Sequence, residues 1–127
     1  MGWHRKIFLV MTGTIVPHDS SALIALSVEE RKAMYLRAFR WYVDKLRREG
    51  SRCGYDGVVF CENSGADLSE FMVIRDGAEN VELLSAPPEI FPAHLGKNND
   101  FNIVDYAVEN SRLLKDPDCS FVKLTGR

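Results

Sequence analysis

The chain has 127 residues, 46% of them hydrophobic and 27% charged, which suits one ordinary α/β-sized domain with an adequate core and a normal soluble surface. Its formal net charge of −2 argues against a nucleic-acid partner, and Arg37, Arg40, Lys45, Arg47 and Arg48 read as the solvated face of a helix. The three cysteines, Cys53, Cys61 and Cys119, are odd in number and lack metal-ligand spacing, which fits free thiols in a reducing compartment.

Arg5-Lys6 before the apolar Ile7–Met11 has the outline of a signal peptide. The run is too short, and no small-residue cleavage site follows it. No stretch approaches the roughly 20 apolar residues of a membrane span, so the expected location is cytoplasmic.

Lys6–Met11 reads as a first buried strand, with the hydroxyls of Thr12 and Thr14 at its carboxyl end. Pro17–Ser21 is a loop. Its His18 and Asp19 raise the idea of a small hydrolase, which lacks a partnered nucleophile of the Gly-x-Ser-x-Gly kind. Ser27-Val28-Glu29-Glu30 is a capping box opening a long helix, and Tyr35, Ala38, Phe39, Tyr42 and Leu46 form its inward stripe. Gly50 ends that helix, with Arg47 and Arg48 in the last turn, where cations suit the dipole.

Val58-Val59-Phe60-Cys61 is an unbroken apolar run bounded by turn residues, the pattern of a strand buried on both faces. Glu62, Asn63, Ser64 and Gly65 follow at its carboxyl end, where open α/β sheets bind their ligands. They supply an acceptor, a mixed group, a donor and close backbone approach. The same residues also suit an ordinary strand-to-helix turn.

Ala66–Ile74 reads as a short helix with Leu68, Phe71 and Met72 inward, and Val81–Leu84 as a short third strand. The prolines of Ala86–Pro92 forbid regular structure. Leu95–Asp100 leads into a second long helix, with Phe101, Val104, Val108 and Ser111 on one face and an end near Lys115. Lys97 lies just before the start of that helix, where free N–H groups favour an anion. Asp116-Pro117-Asp118 turns the chain into a fourth buried strand, Phe121–Leu124. This alternation predicts an α/β fold: a Rossmann-like, mainly parallel sheet with helices on both faces.

Phe60-Cys61-Glu62-Asn63-Ser64-Gly65-Ala66-Asp67-Leu68-Ser69 resembles the CENSG-x-DLS segment of a family of bacterial glycosyltransferases. Gly96-Lys97, Tyr106–Ser111 and Lys123–Arg127 are similar to that family's GKG-x-GE, YA-x-x-NS and K-[IV]-TGRY segments, in the same order. The resemblance implies a fold of GT-A type, of which residues 1–127 would be the N-terminal, donor-binding half. It implies a nucleotide-sugar donor and a glycan or lipid-linked acceptor handled by a further half.

With Thr12 and Thr14, the matching residues Glu62, Asn63, Ser64, Lys97, Ser111, Lys123 and Arg127 become the candidate donor-binding set. Glu62 could accept from ribose hydroxyls or a base N–H, and Lys97, Lys123 or Arg127 could neutralise phosphate. Two departures stand out: Asn98-Asn99-Asp100 replaces the family's Gly-Glu, and the sequence stops one residue before the Tyr that follows TGR, so the acceptor half would lie outside it. Nor does an Asp-x-Asp end the fourth strand. No cofactor is therefore expected, a divalent metal would lack its usual acids, and no catalytic base is assigned. The alternative is a non-catalytic Rossmann-like binding or interaction domain with a vestigial pocket.

Overall fold

A computed structural model describes residues 5–16, 27–87 and 99–125, with 99–101 described by backbone alone. Among these residues four strands, β1 (Lys6–Gly13), β2 (Gly57–Glu62), β3 (Val81–Ser85) and β4 (Cys119–Thr125), alternate with three helices. These are α1 (Val28–Glu49), α2 (Ser69–Arg75) and α3 (Asn99–Asn110), with short 3₁₀ turns at Gly50–Cys53 and Leu113–Lys115. The sheet is parallel throughout, in the order β3-β2-β1-β4, which is the Rossmann-like α/β arrangement expected.

Alternate strand residues point to opposite faces, so each continuous apolar run feeds two cores. Leu9, Met11, Val58 and Phe60 pack on α1 and α2 through Tyr35, Phe39, Val43, Leu46, Phe71 and Ile74. Phe8, Val10, Val59 and Cys61 meet Ile103, Ala107 and Leu114 on the other face. The capping box forms as expected: the Glu30 N–H donates to Ser27 Oγ (3.1 Å), and the Ser27 N–H to Glu30 Oε1 (3.2 Å). Gly50 then closes α1 at a positive φ of 58°.

Five expectations change. Met72 is 61% exposed, because Phe71 stacks on Phe60 (ring centroids 4.8 Å apart) and brings Ile74, three residues on, to the sheet. The short helix also starts later, at Ser69, whose N–H and hydroxyl both donate to the Asp67 carboxylate (3.0 and 2.8 Å). In α3 the buried residues are Ile103 and Ala107, while Val108 is 41% exposed; Phe101's side chain lies outside the described residues. That helix stops at Asn110, short of Lys115, since Glu82 takes the N–H groups of Arg112 (2.9 Å) and Leu113 (3.1 Å).

The fifth change is in β4, which among the described residues is an edge strand and not a buried one. Among the described residues it pairs only with β1, leaving Phe121 and Val122 40% and 49% exposed. No helix among the described residues is long and apolar enough to cross a membrane.

Gly57 fixes how closely β2 approaches its neighbours. A Cβ there would lie 2.6 Å from the Asn80 carbonyl oxygen and 2.8 Å from Phe8 Cδ1. Gly57→Ala is therefore expected to cost about 1–3 kcal/mol through overpacking, read from the urea midpoint. An unchanged midpoint would show that the strands can part at no cost.

Candidate functional site

The strand order reverses at β1, which has β2 on one side and β4 on the other, so a crevice is expected outside the carboxyl ends of these strands. Thr12 pairs with Cys61 in β2 and with Thr125 in β4, and Gly13 pairs with Glu62. Thr12 and Glu62 thus lie beside each other at the carboxyl edge of adjacent parallel strands, as the crossover rule predicts. Their side chains are one register step apart and point to opposite faces.

Glu62 ties the loops after β1 and β2 together. It is fully buried, and its carboxylate accepts from both sides. Oε2 receives the Ile15 N–H (2.7 Å) and the Ser64 hydroxyl; Oε1 receives the N–H groups of Ser64 (2.8 Å) and Ala66 (3.3 Å). Ser64 Oγ in turn accepts from the Val16 N–H (2.9 Å), and the Thr14 hydroxyl donates to Asn63 Oδ1 (2.6 Å). The Asn63 N–H reaches the Gly13 carbonyl (3.1 Å) and extends the ladder into the loops. A buried acceptor that draws together several loop N–H groups is well suited to hold two surface loops in one geometry.

α1 holds the same loops from one side. Arg31 donates from Nε (3.1 Å) and Nη2 (2.7 Å) to the Thr14 carbonyl, and Tyr35 Oη accepts the Thr14 N–H (3.2 Å). The sequence marks Tyr35 only as part of the inward stripe of α1, and carries no expectation for Arg31. The one local signal was Arg31 itself, a cation near a helix N-terminus, where the dipole favours acids.

The candidate residues therefore separate. Thr12, Glu62 and Asn63 are buried beneath the loops, while Thr14 and Ser64 are partly exposed beside the open Gly65. Lys123 sits on β4 opposite Val10, two residues before Thr125, and so shares a strand face with Thr125. Ser111 is not brought to this edge. It closes the far end of α3, donating to Glu82 Oε1 (2.6 Å) and accepting the Leu114 N–H (3.0 Å). Lys97, Arg127, His18 and Asp19 lie outside the described residues. Asp116 and Asp118 precede β4 at the amino edge, where Asp116 pairs with Lys6 (3.6 Å) and the Asp118 carbonyl accepts the Lys6 N–H (3.2 Å).

Cys61, under the same edge, is held in the thiol form. Burial, and then the charge of Glu62, push its pKa up to about 12, so it does not ionise near neutral pH. Among the described residues no cluster of His, Cys, Asp and Glu is placed to hold a metal ion. No family model matches the chain, and no curated protein or solved structure does.

Proposed function

We propose that the chain binds a nucleotide-sugar donor and forms the donor-binding half of a glycosyltransferase. The observation that carries this reading is the pair of polar loops after β1 and β2, locked side by side at the carboxyl edge of a parallel sheet by the buried Glu62. Parallel α/β sheets bind nucleotides at that edge. The resemblance of residues 60–69, 96–97, 106–111 and 123–127 to glycosyltransferase segments supplies the sugar and the transfer chemistry.

In this reading Thr14, Ser64 and the Gly65 backbone hydrogen-bond the nucleoside, while Thr12, Glu62 and Asn63 hold those groups in place. The diphosphate falls to Lys97, Lys123 and Arg127, since cationic side chains pair with phosphate oxygens without a metal. Ser111 supports the fold at the opposite edge.

A panel of nucleoside diphosphates and nucleotide-sugars tests this by thermal shift, with and without a chelator. A ligand at about 100 times its dissociation constant should stabilise the protein by about 2.7 kcal/mol, and chelation should leave that shift unchanged. No response to any member of the panel would end the donor-site reading. Stabilisation by nucleotides alone, with no sugar-bearing ligand preferred, would favour a nucleotide-binding module that transfers nothing.

A further inference from the structure

The hydrogen bonds around β3 define which of its peptide groups are already used. The Val58 N–H donates to the Asn80 carbonyl (3.0 Å) and the Ala86 N–H to the Glu62 carbonyl (2.8 Å). With Val58 opposite Val81 in a parallel ladder, residues 80, 82, 84 and 86 turn their peptide groups toward β2, and 81, 83 and 85 turn theirs outward. Val81 is satisfied: its N–H reaches the Ala78 carbonyl (3.2 Å), and its carbonyl accepts from Arg75 Nε (2.7 Å). The outward groups of Leu83 and Ser85 have no partner among the described residues, because β3 is the edge of the sheet.

A cavity of about 400 Å³ opens at this edge, lined by Leu68 and Met72 on its apolar side, by Arg75 and Arg112, and by Leu83 and Ser85 themselves. Arg112 Nη2 donates to the Glu79 carbonyl (2.8 Å), as Arg75 Nε does to that of Val81, so both guanidiniums are fixed with N–H groups to spare. Neither arginine forms an ion pair among the described residues. Glu82, which also lines the cavity, is occupied by Ser111, Arg112 and Leu113 backbone and hydroxyl groups.

We propose that the outer edge of β3 docks an acidic, extended peptide segment of a partner protein. The segment adds a fifth strand along Leu83–Ser85 and sets its carboxylates against Arg75 and Arg112. Unpaired edge groups on alternate residues ask for another strand. Two fixed guanidiniums ask for carboxylates on it. Leu68 and the exposed Met72 offer apolar contact beside Arg75, on the α2 side of the added strand. A second copy of this chain fits less well, since its β3 edge carries the same arginines and the Glu82 beside them is already taken.

The test is fluorescence anisotropy with an array of seven-residue peptides that combine Asp or Glu with Val, Ile or Thr in varied order. Matched sets carry lysine in place of the acids, or methylated backbone nitrogens at alternate positions. Some acidic peptides should bind saturably, and the lysine and N-methyl versions of those peptides should not. Arg112→Gln should weaken binding about tenfold, as expected for a lost charge-assisted hydrogen bond. Ser85→Pro should weaken it severalfold, because it removes an outward N–H and no ladder bond, whereas Ser85→Ala should bind like the parent.

Unchanged melting temperatures in all three variants keep these effects separate from folding. The proposal is overturned if no acidic peptide saturates, if the lysine or N-methyl sets bind equally well, or if Arg112→Gln and Ser85→Pro both leave binding intact. Concentration-dependent dimerisation abolished by Ser85→Pro would overturn it in favour of a second copy.

Discussion

Glu62→Ala is expected to lower the stability of the protein by about 3–5 kcal/mol, a large part of the 5–15 kcal/mol typical of a domain. The substitution leaves four donors without their acceptor: the N–H groups of Ile15, Ser64 and Ala66, and the Ser64 hydroxyl. Fully buried, each would cost about 1–3 kcal/mol, and the simple total would exceed the expected value. Ser64 and Ala66 are only partly buried, however, so water can replace part of what Glu62 provides. The cost should then fall mainly on Ile15, which is buried and has to keep its place over the aromatic core.

Glu62→Gln should cost less, about 2 kcal/mol, because the amide oxygen still accepts while its NH₂ faces other donors. Urea unfolding reads both differences. A loss under about 1 kcal/mol for the alanine variant would mean that the loops hold their geometry without the carboxylate.

Phe60→Ala should be as damaging, at about 4–5 kcal/mol. Its ring is fully buried between both helices of that face, stacked on Phe71 (4.8 Å) and edge-on to Phe39 (5.7 Å) and Tyr35 (6.0 Å). It also lies beneath Gly13, where an added Cβ would come within 2.8 Å of Phe60 Cζ. Removing the ring therefore opens a cavity directly under the start of the β1 loop. Phe60→Leu, which refills most of that volume, should recover more than half of the loss in the same unfolding experiment. Equal losses for the two variants would show that the aromatic contacts, and not the filled volume, carry the effect.

Much of this architecture is legible in the sequence, because parallel strands buried on both faces announce themselves as continuous apolar runs. Lys6–Met11 and Val58–Cys61 read that way, and the box at Ser27–Glu30 marks the start of α1 to the residue. Helix faces are harder to read. Met72 and Ile74 are both apolar, and the choice between them is made by Phe71 meeting Phe60, a contact between separate elements. In α3 the small Ala107 is buried and the larger Val108 is not, which no hydrophobicity pattern favours.

β4 shows a different limit. Its apolar residues match a buried strand, yet its place beside β1 alone leaves both faces partly open. At the site, the importance of Glu62 is visible in the sequence, but its job is not. Its partners include a backbone N–H 47 residues upstream, and backbone groups carry no sequence signature. Ser111 fails for the same reason in reverse: its partner Glu82 lies across the sheet and turns it into the support of a 3₁₀ turn.

The most direct measurement of the donor-site reading is a ¹H–¹⁵N NMR titration with the nucleoside diphosphate or nucleotide-sugar that stabilises the protein most. Saturable shifts are expected at the amides of Thr14, Ser64, Gly65 and Thr125, and none across Ser111–Lys115 at the far end of α3. Shifts gathered around Arg112 and the β3 edge, or no saturable shift at the two loops, would contradict that reading.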